Sequence, residues 1–491
     1  MVRGILKNLG ENSIVYAISA LSVRFLSFLL FPFFARKFTP EQYGDINIFN
    51  NLTFFVNAFI VLGMDSATSR FIYDSADNQQ LLRKKLISTW FFTQTTSAIL
   101  TGSLLLLFGS LFFVNQYIHA PNGLLILSIV VVNFILQTGV LITNTTLVLN
   151  RQAKKSALFS FASAIIATIA SLLFVFVFQI GLLGFFLGQT VSFFLYAVAG
   201  YLFVLKEYVQ IQSYSFNLLK NMLRYGISLI PANLSTYFLL LVSSFIIQAY
   251  AGPKELGFFQ IALTLSSALM LFTMPFNMAF QPLSFSIMHK PESGRFFSLV
   301  LTIYSTFLSF ICLTLSVFFP NIIDFLVTNR YAPSAYSASL LTMGTFIFSL
   351  VNIANIGLAI VKKVSYYAVV VTVSNIVTML LVYLFIRWKG FDGVAFALLL
   401  GQSLSVVAIF LIAHRFYKLP YNYGKVTFTV LMAIALIVSF YNGAFSFLHS
   451  FYLDKVMPLL IFLAACLVLN YNKLKSIIAL SKKVCNLWFP V

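Results

Sequence analysis

Ile14 to Ala35 reads IVYAISALSVRFLSFLLFPFFA, an apolar run interrupted by a single charge, Arg24. At 1.5 Å per residue these roughly 22 residues make a helix about 33 Å long, enough to cross a hydrocarbon core about 30 Å thick. Arg24 then falls near mid-depth. An arginine there costs a few kcal/mol even on insertion scales, so such residues face a protein interior or a water-filled cavity. The expectation is that Arg24 faces a cavity that holds an anion. Its planar guanidinium stays charged and donates two parallel hydrogen bonds, which suits a phosphate. The competing reading is structural, with the guanidinium bonded to carbonyls of neighbouring helices.

The rest of the chain extends this pattern. Of 491 residues, 60% are hydrophobic and only 9% charged, and the mean hydropathy is +0.95. Ordinary globular chains are about 45–50% apolar and about 25% charged, so a soluble enzyme is excluded and a polytopic membrane protein is expected. The first run is longer than a signal h-region and has no small-residue cleavage site after it, so it should remain as the first span. Three cysteines, Cys312, Cys466 and Cys485, show no CxxC or Cys/His spacing. Neither disulfides nor a metal site is expected.

Apolar runs of about 20 residues give about fourteen candidate spans, at roughly 13–35, 44–66, 86–114, 123–149, 157–178, 184–205, 226–250, 257–280, 296–319, 338–361, 366–386, 393–413, 426–447 and 456–471. The net charge of +19 would suggest nucleic acid in a soluble chain. Here its placement decides, because about 23 of the 31 Lys and Arg fall in one alternate set of loops. That set includes Arg83, Lys84 and Lys85, Lys154 and Lys155, and the lysines of the tail. The bias puts both termini in the cytoplasm and requires an even number of spans.

The chain also repeats itself. PEQYG (Pro40 to Gly44) is echoed by PKELG (Pro253 to Gly257), and GQTVS (Gly188 to Ser192) by GQSLS (Gly401 to Ser405), both 213 positions later. The repeat unit is about six spans. An even unit enters the membrane in the same sense twice, so the copies are expected to be related by a pseudo-two-fold along the membrane normal. The expected fold is therefore all-α and integral to the membrane. Residues 1–212 form one six-helix lobe, 213–425 the second, and 426–491 two extra C-terminal helices with a cytoplasmic tail. Two lobes then face each other across a cleft, and the same offset sets Tyr237 opposite Arg24.

Chemistry is signalled mostly by what is missing. There is no GxxxxGK[ST] phosphate loop, no HExxH and no GxSxG, so no enzyme activity and no cofactor are expected. All 12 acids read as loop or span-end residues, Asp45 and Asp65 among them, which argues against a transporter holding a cation on a buried carboxylate. The four histidines read as exposed polar residues. Amides are scattered through the spans, Asn57 and Asn233 among them. Each is interhelical glue worth about 0.6–2 kcal/mol, or part of a cleft lined for sugar hydroxyls. The segment from 474 to 491 suits an amphipathic helix on the inner surface.

Four features together resemble a known family. They are the first-span arginine in LSVRF (Leu21 to Phe25), the loop FTPEQYG (Phe38 to Gly44), the segment GMDSATSRF (Gly63 to Phe71), and the two-lobed plan. They are similar to the bacterial polysaccharide transporter family, the O-antigen and capsule repeat-unit flippases of the multidrug/oligosaccharidyl-lipid/polysaccharide superfamily. The resemblance implies a V-shaped fold that alternates between inward-open and outward-open states in the bacterial inner membrane. It implies as substrate an oligosaccharide on undecaprenyl pyrophosphate, moved from the cytoplasmic to the periplasmic leaflet, with glycan polymerase and other assembly proteins as possible partners. The substrate-contacting candidates are Arg24, Tyr237, Asn57, Asn233 and Arg70. A cation-coupled small-molecule exporter and a lipid II flippase are the alternatives within the superfamily. Flippases of the lipid II type carry several cavity arginines, whereas one is evident here.

Overall fold

The computed structural model describes residues 21–470 apart from 27, 75–78, 111–113, 151, 228–229, 288–291, 362, 364 and 446–452. The start of the expected first span, Cys485 and the tail lie outside the described residues. Among those described there is no strand.

A first helix, α1, covers 21–26 and 28–37. It is followed by α2 (Pro40–Val61), α3 (Met64–Asp74), α4 (Gln79–Phe108), the short α5 (Val114–Tyr117), α6 (Gly123–Leu149), α7 (Ala153–Leu172) and α8 (Leu182–Gly200). An amphipathic α9 (Phe216–Ile227) leads to α10 (Ile230–Ala251), α11 (Pro253–Ser266), α12 (Met270–Ile287), α13 (Ser293–Ile322), α14 (Ser334–Ser349), α15 (Val351–Ile360), α16 (Ser365–Phe416), α17 (Tyr423–Tyr441) and α18 (Leu453–Asn470). Ten helices among the described residues are long and apolar enough to cross a membrane, or eleven if the bent pair α2 and α3 is one span. The chain is a multi-pass membrane protein. One of the ten, α16, is broken at Lys389 and at Gly390, whose φ is 57°. The break falls where the sequence separates two spans.

The segment read as the loop FTPEQYG is largely helix. Thr39 caps α2 by accepting the Gln42 N–H at 3.4 Å, while the Gln42 side chain accepts the Thr39 N–H at 3.0 Å. This reciprocal box closes two of the donors that a helix start leaves open, and Pro40 fits a first position that needs no N–H. The helix therefore begins four residues before the expected 44, and Asp45 lies in its second turn. At the other end, Leu62 (φ 50°) and Gly63 (φ 66°) break α2 from α3 at an angle of 43°. Gly63 lies so close to Gly226 that an added Cβ would stand 2.6 Å from its carbonyl oxygen. Beside it α9 buries Leu219 and Met222 in one cluster with Met64, Leu86 and Trp90.

Within the first half, α6, α7 and α8 pack together, and α4 packs on α6. Within the second, α16 packs on α10 and α14, and α13 on α17. The halves meet chiefly through α2, which lies against α10 and α11. That seam is reciprocal. A Cβ on Gly44 would meet Pro253 O at 2.7 Å, and one on Gly257 would meet Pro40 O at 1.8 Å. Gln248 donates to Tyr117 O at 2.7 Å, and Arg330 donates to Ala35 O at 2.8 Å. In each case adding 213 to the first-half residue gives its second-half counterpart. Asn47 and Gln260, themselves 213 apart, bond to each other at 2.6 Å. Contacts that exchange partners in this way belong to a self-complementary interface.

Candidate functional site

Arg24 projects from α1 toward the second half. Its Nη1 lies 3.1 Å from the Met270 sulfur, the first residue of α12. A thioether is a weak acceptor, and a guanidinium has five N–H donors to place. Among the described residues no carboxylate lies within ion-pair distance of it. Beside it is a cavity of about 160 Å³ lined by Arg24 and Phe28 from α1, Thr264 from α11, Ser267 and Ala268, and Leu271 from α12.

The second-half wall lies where the helix tightens by one turn. Between α11 and α12 runs a single 3₁₀ turn, Ser267–Leu269. Thr264, Ser266 and Ser267 turn their hydroxyls back onto the carbonyls of Gln260, Leu263 and Thr264 at 2.9, 2.8 and 2.6 Å. Such back-bonding competes with the helical ladder and bends it. It also uses those O–H donors, so in this state Arg24 is the cavity's strong donor. From Pro253 to Ser267 is 14 residues, about 21 Å along the helix, which sets the cavity well away from the Gly44–Pro253 contact.

The other candidates lie elsewhere. Tyr237 of α10 stacks on Phe54 of α2, with centroids 5.8 Å apart and planes at 18°. It belongs to the boundary between halves, but it does not line the Arg24 cavity. Asn57 donates to Gln137 at 3.2 Å, a bond between α2 and α6 inside the first half. Asn233 is exposed on α10. Arg70 is exposed on α3, beyond the Leu62–Gly63 break, with its guanidinium 4.7 Å from the Tyr225 ring centroid of α9.

Sequence reasoning missed three features. Thr264, Ser267 and Met270 carry the far wall, and the signal was a run of hydroxyls inside an apolar span. Arg36 and Arg330, read only as loop charges, tie the halves together: Arg36 donates to Phe325 O and Leu326 O at 2.6 and 3.1 Å, and Arg330 to Phe38 O at 2.6 Å. Asp45, read as a span-end acid, is 1% exposed. His119, read as an exposed polar residue, stands 3.6 Å from it. The burial of Asp45 follows from the early start of α2, which draws it into the packed seam, while His119 is exposed as expected.

The chain is similar over 94% of its length to the lipid II flippase MurJ in an inward closed conformation, with 99% of that chain covered, 16% identity and a TM-score of 0.69. It resembles an inward-facing multidrug resistance MATE transporter of the MOP superfamily with a TM-score of 0.64 at 13% identity, covering 82% of this chain and 97% of that one. For an outward-facing MATE transporter the score is 0.55 at 14% identity, covering 83% and 95%. These likenesses show the fold. No curated protein matches in sequence. The family profile described as "Polysaccharide biosynthesis protein" matches residues 9–288, more than half of the chain. In a chain with a many-helix membrane fold, that match shows that it belongs to the polysaccharide biosynthesis protein family.

Proposed function

We propose that this protein is a flippase that carries undecaprenyl-pyrophosphate-linked oligosaccharide repeat units from the cytoplasmic to the periplasmic leaflet of a bacterial inner membrane, for synthesis of an O-antigen, capsule or exopolysaccharide. The observation that carries the reading is the Arg24 guanidinium. It lies at the boundary of the two halves, faces a cavity, and among the described residues its hydrogen-bond partner is the Met270 thioether. A pyrophosphate supplies the acceptors that this guanidinium lacks. The Phe54–Tyr237 pair offers an aromatic face for sugar, and the polyprenyl tail remains in lipid between the halves.

The mechanism is alternating access between two lobes related by a pseudo-two-fold. The reciprocal seam supports the relation, and the higher score against the inward-facing transporter supports an inward-facing state. Moving negative charge outward is favoured by about 2.3 kcal/mol per charge per 100 mV across an inside-negative membrane. The MurJ likeness supports lipid II as the second substrate, since it shares the pyrophosphate headgroup. A cationic drug fits poorly, because the cavity lining is basic and Asp45 lies in the seam instead.

The test is export of surface glycan in a strain lacking its own flippase, complemented with the parent, Arg24→Ala or Arg24→Lys at equal expression. Losing a charged hydrogen bond of about 1.5–3 kcal/mol weakens binding roughly 10- to 150-fold. Alanine is expected to abolish rescue and lysine to retain part of it. Full rescue by alanine refutes the role of Arg24, and failure of a glycan-matched parent refutes the flippase reading.

A further inference from the structure

Next to the tightest point of the seam lies a carboxyl that binding an anion does not require. Asp45 follows Gly44, where α2 and α11 meet backbone to backbone, and it is 1% exposed. Its Oδ1 accepts the backbone N–H of His119 at 3.1 Å and stands 3.6 Å from the His119 Nδ1. Its Oδ2 is buried with no hydrogen-bond partner. From α10 comes Gln248, whose Nε2 donates to Tyr117 O and lies 3.5 Å from the same Nδ1, while its own Oε1 is also buried and unpartnered. The segment 117–119 is thus held by α2 of one half and α10 of the other.

The remaining ionisable groups of the seam face other partners. Tyr43, on α2, meets Tyr331 and Arg330 from the segment before α14. Glu41 acts on Tyr331 through space. Glu255, at the start of α11, faces Lys254 and Asp392. The group that faces Asp45 is His119, and it is 45% exposed. Water therefore reaches the imidazole but not the carboxyl.

We propose that Asp45 and His119 form a proton-binding site on the seam, and that loading it with one proton favours the closed seam. A pair holding one proton is neutral overall, as a carboxyl beside a neutral imidazole or as a carboxylate beside an imidazolium. Without that proton, closing the seam buries a net negative charge that the backbone N–H groups of His119 and Ala120 only partly offset, which is costly. An open seam hydrates the carboxylate and removes the penalty. The proton comes from water on the face poor in Lys and Arg and reaches Asp45 through His119. Acidity on that face thus returns the carrier to its inward-facing state after substrate leaves. The inference rests on the rocking of two halves proposed above, and its test reads the seam rather than export, so either can fail alone.

The test is a distance measurement by double electron–electron resonance on nanodisc-reconstituted full-length chain, its own cysteines replaced by serine, with spin labels at Phe178→Cys and Phe325→Cys. Both positions are exposed, at 64% and 78%, and they sit on opposite halves at the outer ends. The short-distance population is expected to grow at least about fivefold relative to the long one between pH 8 and pH 5.5, as coupling to one proton allows. Asp45→Asn, which cannot carry the charge, should hold the short distance at both pH values. Asp45→Glu should restore the dependence with a displaced midpoint. A parent distribution indifferent to pH overturns the proposal. So does a dependence that survives in Asp45→Asn, or one that follows sodium at constant pH.

Discussion

Replacing Gly257 by alanine puts one methyl group where the two halves touch most closely. The added carbon would stand 1.8 Å from the Pro40 carbonyl oxygen, 2.5 Å from its carbon and 2.9 Å from its Cα. These are backbone atoms of a capped helix start, so no side-chain rotation relieves the clash. Ordinary contact begins near 3.4 Å, and the helices must part by about 1.6 Å, the difference between 3.4 and 1.8. At that separation the 2.6 Å Asn47–Gln260 bond is lost. Overpacking costs about 1–3 kcal/mol, and the broken bond about 1 kcal/mol more. A loss of about 2–4 kcal/mol from the closed seam moves the closed-to-open ratio roughly 30- to 700-fold toward open, at tenfold per 1.4 kcal/mol. Spin labels at Phe178→Cys and Phe325→Cys report that shift, and glycan export should fall because the inward-facing state can no longer form. Gly188→Ala is the control: its Cβ would meet Ser171 N at 2.3 Å, inside the first half. It should lower thermal stability and leave the seam unchanged. If Gly257→Ala keeps the parent's distance distribution, the close approach does not govern the seam and the reasoning fails.

Other perturbations separate the parts of the seam and of the helices. Arg330→Ala deletes donors to the carbonyls of Ala35, Arg36 and Phe38, and the same labels should show an open fraction raised about tenfold. Arg36→Ala removes donors to Phe325 O and Leu326 O from a more exposed position, and its shift should be smaller. Asn47→Ala removes bonds to Gln260, Asn51 and Ser244, of which Asn51 and Ser244 keep their bond to each other, and should cost about 1–3 kcal/mol. A melting-point cycle with Gln260→Leu should show coupling above about 0.5 kcal/mol. Gly390→Ala meets nothing within 4 Å and costs only the strain of its positive φ, about 1–3 kcal/mol. Gly401→Ala meets Thr378 at 1.8 Å between packed helices and should lower the melting point further.

Much of the fold is legible in the chain because the bilayer imposes a simple rule: a spanning segment must satisfy its own backbone and be apolar for about 20 residues. That rule locates α6 directly and α4 and α10 to within several residues, and it separates the two parts of α16 around Gly390. It misplaces the start of α2, because the capping box of Thr39 and Gln42 and the proline at Pro40 begin a helix in polar residues, which a hydropathy reading assigns to a loop. The repeat of PEQYG as PKELG likewise marks a matched pair of positions without saying that they touch. Gly44 and Gly257 turn out to be the surfaces through which the halves meet.

The sequence alone determined that this chain lives in a membrane as a helical bundle, that it carries an internal repeat, and that Arg24 is its anomalous charge, since burial in lipid makes each of these a property of local composition. Only the tertiary structure decided what Arg24 faces, that Asn57 and Arg70 have partners away from its cavity, and that Asp45 and His119 share the seam. Those facts depend on which helices are neighbours across the boundary of the two halves, and residues more than a hundred positions apart acquire that relation only when the chain packs.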